Sequence, residues 1–160
     1  MKTVQEQGVV HNTFVIERKY SVPVEKVFAA FADPATKRRW YAEGKSHEVK
    51  SFTMDFRVGG EEKTTYLFGP NTPFPGVALG NHGRFEDIVP NKRIVETSTM
   101  TLGEHRISTS LTTIELVPSA TGTDMIFTHQ GTFYENSGGP KMREEGWMSL
   151  FDRLDKELAK

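Results

Sequence analysis

Two rhythms of apolar positions alternate along this 160-residue chain, and the change from one to the other marks its elements. Residues 13–20 (TFVIERKY) begin with β-branched and aromatic side chains and then alternate, which is the pattern of a strand. Val24, Val27, Phe28 and Phe31 then fall at i, i+3, i+4 and i+7, one face of a helix opened by Pro23, with Glu25 suited to its positive end. Asp33-Pro34 ends it, because the residue before a proline is pushed out of the α region. Asp33 can in turn cap a second short helix that runs from Pro34 to about Trp40. Beyond it the helical stripe disappears, and alternation predicts strands at 48–58, 61–68, 83–89, 93–100, 105–117 and 123–129, seven with the first. Gly59-Gly60, the GPNTPFPGVALG segment 69–80, Pro90-Asn91, Leu102-Gly103 and 118–122 separate them. Neighbours joined by such short turns must be antiparallel, since a parallel pair needs a crossover. Residue 141 begins the last helix, which runs to 159 with Trp147, Leu150, Phe151, Leu154 and Leu158 on one stripe and the pairs Asp152/Lys156 and Arg153/Glu157 on the other. Gly146 inside it costs about 1 kcal/mol relative to alanine, which argues for something packed closely against the backbone there.

The elements define an α+β chain: a tail, 1–12, and one domain, 13–160, in which a curved seven-stranded antiparallel sheet closes around the long C-terminal helix and two short helices follow the first strand. A chain of this size buries roughly two-thirds of its unfolded surface, enough for one core. Lys and Arg number 20 against 21 acidic residues, and no basic surplus exists to displace counterions from phosphates, so nucleic acid is excluded as a partner. Residues 1–10 lack the continuous apolar stretch of a signal peptide, and no run approaches the ~20 apolar residues that span a bilayer. With no cysteine to form disulfides or ligate zinc, the expectation is a cytoplasmic protein with no membrane partner. His11, His47, His82 and His105 show no ligand spacing, and no phosphate loop, dinucleotide fingerprint or G-x-S-x-G is present, so neither metal nor cofactor is expected.

Several strings are more specific than the order of elements. Val27-Phe28-Ala29-Ala30-Phe31-Ala32-Asp33-Pro34 followed by Trp40, then Met54-Asp55-Phe56-Arg57-Val58-Gly59-Gly60, then Asp87-Ile88-Val89-Pro90-Asn91-Lys92-Arg93-Ile94-Val95, and Glu145-Gly146-Trp147 resemble the heat-shock protein 90 ATPase activator-like family of the START-like (SRPBCC, helix-grip) superfamily. The resemblance implies the helix-grip fold, with a cavity between sheet and last helix that binds hydrophobic or amphipathic small molecules. In some relatives the same cavity catalyses cyclisation or hydrolysis. The eukaryotic namesake is a co-chaperone with an additional N-terminal domain for which this chain has no room, so the resemblance implies a match to its START-like domain alone, with a place in the stress response as the expectation.

Strand parity selects the wall of such a cavity. Thr123, Met125, Phe127 and His129 share the inner face of their strand; Thr112, Ile114 and Leu116, and Thr64, Tyr66 and Phe68, share it in theirs. Ile94, Glu96, Ser98 and Met100 place Glu96 and Ser98 inside as well. The candidate ligand-binding residues are therefore Phe56, Tyr66, Phe68 and Phe85, the polar Glu96 and Ser98, then Ile114, Met125, Phe127, His129 and Trp147. Each aromatic among them has a competing reading as core. Glu96 and His129 can form an acid/base pair or a structural hydrogen bond; no catalytic residue follows from the sequence, and whether the chain is an enzyme stays open. Arg38 and Arg39 read either as a rim for an acidic ligand or as a solvated helix face. Three functions remain: binding of an apolar or amphipathic ligand, a cyclase or hydrolase in the same cavity, and a chaperone-interacting domain. A monomer or a homodimer fits each.

Overall fold

The structure is a computed structural model that describes residues 8–160. Strands β1 (Val10–Tyr20), β2 (His47–Met54), β3 (Glu61–Phe68), β4 (Ala78–Val89), β5 (Arg93–Leu102), β6 (His105–Ser119) and β7 (Gly122–Phe133) form one antiparallel sheet in the order β1-β7-β6-β5-β4-β3-β2. Helices α1 (Val24–Ala32) and α2 (Pro34–Lys37) follow β1, and α3 (Pro140–Leu158) ends the chain. This is the α+β helix-grip architecture that the pattern predicts.

The differences lie at the edges of elements. β1 begins at Val10, so three residues assigned to the tail are strand; residues 1–7 of that tail, and with them most of the segment judged not to be a signal peptide, lie outside the described residues. β2 stops at Met54, four residues short of the expected end. Asp55 N–H donates to Glu61 O at 2.9 Å and Gly60 N–H to Arg57 O at 2.8 Å, closing a turn in which a side chain at Gly60 would strike the Asp55 carbonyl. β4 begins at Ala78, because Ala78 pairs with β3 and residues 79–82 pair with β3 and β5 at once, and the segment read as a loop over 69–80 shortens to 69–77. α2 is capped as expected, Asp33 accepting from Thr36 N–H at 3.0 Å, but it passes into a π-helical turn, Arg38–Ala42, closed by Glu43 N–H donating to Arg38 O at 3.0 Å. Within the wider turn Trp40, Tyr41 and Ala42 are buried in succession.

Register explains why one half of the molecule is filled and the other open. Across β5, β6, β7 and β1 the inner face carries Ile94, Ile114, Phe127 and Ile16 in one row, and this row packs solidly. Phe151 of α3 meets Phe127 edge-on at 5.0 Å, and Phe151, Leu154 and Leu158 are all buried beneath the helix. The next row is Glu96, Thr112, His129 and Phe14; the one after is Ser98, Ser110 and Gly131. Small side chains in that last row leave the sheet face bare where α3 passes over it.

Candidate functional site: a cavity between the sheet and the last helix

The bare rows and α3 enclose a cavity of about 510 Å³. Its volume falls in the range of small-molecule sites, and the wall is mainly apolar with a few polar groups. Leu79, Met100 and Leu102 come from the sheet, Trp147 and Leu150 from α3. Phe68 and Phe74, 6.1 Å apart, border the opening on one side, and Asn136 to Gly138 on another.

Beneath this wall lies a buried ionic cluster. Lys37 Nζ meets Glu62 Oε2 at 2.5 Å, with Glu62 only 1% exposed. Glu62 stands opposite Gly83 on β4, and Gly83 stands opposite Ser98, two residues from Glu96 on β5. Because Gly83 has no side chain, the Glu96 carboxylate leans across β4 towards Glu62; a methyl at Gly83 would collide with Glu96 Oε2. Glu96 Oε2 and Glu62 Oε1 are both enclosed, and neither has a hydrogen-bond partner beyond the other carboxyl group. Burial first, and the Glu62 charge second, push the Glu96 carboxyl up to about 8 against the pull of Lys37. At neutral pH it holds a proton that serves both carboxyls, and Glu96 also lines the cavity. Tyr41, whose hydroxyl accepts from Asn81 Nδ2 at 2.8 Å, covers the same cluster, with the Lys37 ammonium 4.8 Å from its ring centre.

His129 sits on the same sheet face as Glu96, two strands away, its ring stacked on Phe14 at 4.6 Å and 7° and on Phe133 at 5.9 Å and 24°. Burial, followed by the nearby Arg143 charge, lowers its pKa to about 4, so the imidazole is neutral, and its Nδ1 has no partner. Arg143, on α3, donates from Nη2 to Ser108 Oγ at 2.8 Å and lies over the Phe133 ring at 5.2 Å. Burial brings its pKa down only to about 10, which leaves it a cation.

Six of the eleven candidate residues lie on the cavity wall: Tyr66, Phe68, Glu96, Ser98, His129 and Trp147. The other five do not. Ile114, Met125 and Phe127 belong to the filled core, where Phe151 of α3 meets Phe127, and Phe85 is packed edge-on at 5.0 Å against Phe56, which the early end of β2 moves into a turn under α1. For these the core reading holds. Glu96 and His129 are not paired: Thr112 stands between them in the register, and each has its own buried surroundings. Arg38 and Arg39 are salt-bridged to Glu43 and Glu157, which settles them as a partnered surface. Gly146 has no neighbour within 4 Å of where a side chain would stand; it leaves room at the cavity rather than a close approach. Among the described residues no group of His, Cys, Asp and Glu has metal-site geometry.

Two features of the site, one beneath the wall and one on it, are not among the expected residues although their signals are present in the sequence. Extending the Thr64, Tyr66, Phe68 parity back by two reaches Glu62, and extending the α3 stripe back by four from Trp147 reaches Arg143.

A curved antiparallel sheet gripping a C-terminal helix, with an open-mouthed cavity between them, defines a protein of the helix-grip class. The chain belongs to the family described as Activator of Hsp90 ATPase homolog 1-like protein, whose model matches residues 21–159. It is similar to the crystal structure of the Mll3558 protein from Rhizobium loti, at 42% identity and TM-score 0.84 over 93% of this chain and 98% of that one. An uncharacterised protein from Rhizobium leguminosarum aligns at 34% identity and TM-score 0.87, covering 94% and 96% of the two chains. The solution structure of an AHSA1-like protein from Aeromonas hydrophila, at 18% identity and TM-score 0.67 over 92% of each chain, shares the fold. No match is found among curated proteins. No helix among the described residues is long and apolar enough to cross a membrane.

Proposed function

We propose that the chain binds an apolar or amphipathic small molecule in the cavity between the sheet and α3. The observation that carries this reading is about 510 Å³ of unfilled space in a domain whose other inner rows are solidly packed. Leaving apolar wall without neighbours forfeits dispersion contacts and hydrophobic burial, a cost that a ligand removes. Two of the large apolar side chains that stand exposed, Phe74 and Met142, border the same cavity, where a ligand would cover them. The neutral probe N-phenyl-1-naphthylamine should bind with micromolar affinity, with a fluorescence rise at one site per chain. Absence of saturable binding, together with no copurifying small molecule by native mass spectrometry, would sink the reading.

A second reading, an enzyme acting in the same space, is favoured by one feature. Glu96 presents to the cavity a carboxyl that holds its proton at neutral pH and is backed by Glu62 and Lys37, which is the makeup of a general acid. Cytoplasmic location and a place in the stress response stand as expectations of the same proposal.

A further inference from the structure

We propose that the ligand is an amphipathic monocarboxylate, its head held by Arg143 and its apolar body lying against Met100, Trp147 and Leu150. The inference rests on the binding reading above and deepens it. Arg143 occupies the α3 stripe one turn before Trp147, and among the described residues it is the only lysine or arginine on the cavity wall. Among the described residues no carboxylate pairs with it. Of the other buried or half-buried cations, Lys37 is matched by Glu62, Arg18 by Asp152 and Asp155, Arg38 by Glu43 and Arg93 by Asp87, while Arg153 donates to the Arg39 carbonyl. A half-buried guanidinium facing a mainly apolar wall is costly without an anion. The Ser108 hydroxyl and the Phe133 ring orient it but supply no charge, and its one recorded hydrogen bond uses a single Nη2 hydrogen. The rest of the fork is available for bidentate contact with a carboxylate.

The surroundings limit the ligand's charge and direction. His129 is neutral beside Arg143 and adds no second cation, so the wall matches one negative charge rather than a phosphate dianion. The N-terminus of α3, capped by no side chain at Gly139, lies three residues before Arg143 and adds positive potential of its own. Glu96 sits four residues along β5 from Met100, whose β6 partner is Ser108, which places it ~13 Å from the anchor row. Between the two ends lie the small residues Ser98 and Ser110, with the apolar side chains facing them from α3. An extended carboxylate fits that span with its head at Arg143 and its tail running towards Glu96, whose protonated carboxyl repels no apolar chain and can donate to a terminal oxygen.

Displacement of N-phenyl-1-naphthylamine from the full chain by decanoate and by 1-decanol, a pair with equal tails and different heads, tests this. At pH 7 decanoate should compete at least tenfold better than decanol. Arg143→Met should lower decanoate affinity tenfold or more while changing that of the probe and of decanol by less than about threefold; Arg143→Lys, which keeps the charge, should retain most of the preference and guards against a fold defect in the first variant. If decanoate and decanol compete equally, or if Arg143→Met weakens both alike, the carboxylate inference is overturned while cavity binding stands. If the probe itself does not bind, the binding reading and this inference fall together.

Discussion

Glu96 is the side chain whose energetics are most exposed to test. Its carboxyl would titrate near 4.5 when unfolded and is pushed to about 8 in the fold by burial and by Glu62. Between those values the folded state holds a proton that the unfolded state releases, so this residue makes the fold less stable as pH rises from about 4.5 to about 8, and constant above. Glu96→Gln imitates the protonated form and cannot titrate. The two proteins should unfold at similar denaturant concentration near pH 5, and the variant should gain steadily over the wild type up to pH 8.5. A gap that does not vary with pH would show that Glu96 is ionised in the fold. Parity alone made Glu96 legible as an inner-face residue, but not its partner. Glu62 and Glu96 are 34 residues apart in sequence, and they meet only because β4 lies between their strands with glycine at position 83. A Glu96–His129 pair, one of the alternatives that parity left open, failed for the same reason: a shared face says nothing about how many strands intervene.

Elements were easiest to read where periodicity continued over several turns. α3 departs from the expected span by one residue at each end, because its stripe of Trp147 to Leu158 is dictated by packing on the sheet. The π-helical turn was not legible, since a single inserted residue leaves no mark on a five-residue pattern. Nor was the start of β4, where Gly80 reads as a turn former but sits in a ladder over Thr101. Gly146 gives the clearest test of an element's local energetics. It is helical with open space where a side chain would stand, so Gly146→Ala meets no obstacle and should stabilise the fold by about 1 kcal/mol through helix propensity. Thermal or denaturant melts measure this directly, and a destabilised variant would mean that the backbone there is closely approached after all.

The filled end and the open end of the molecule make opposite demands on the same sheet. Along β6 the inner residues run Leu116, Ile114, Thr112, Ser110 and Ser108, a gradient from large and apolar to small and polar that carries the core into the cavity. The sequence displays that gradient openly. What it hides is that α3 stays over the sheet beyond the point where the sheet's own side chains can fill the gap. If stability alone had shaped this face, Ser110 is where a large apolar residue would serve it. Ser110→Leu places an apolar side chain into existing space and gives up only a 3.5 Å contact between its hydroxyl and that of Ser98. At about 0.8 kcal/mol for each buried methylene, less the entropy of ordering the new side chain, it should raise stability by about 1 kcal/mol. It should also lower the affinity of N-phenyl-1-naphthylamine tenfold or more, because the inserted side chain takes the ligand's place. Filling a gap that has no role predicts only the first effect, and an overpacked core predicts a loss of stability. A variant that melts higher and still binds the probe as tightly as the wild type would place the ligand outside the cavity and remove the ground for the function proposed here.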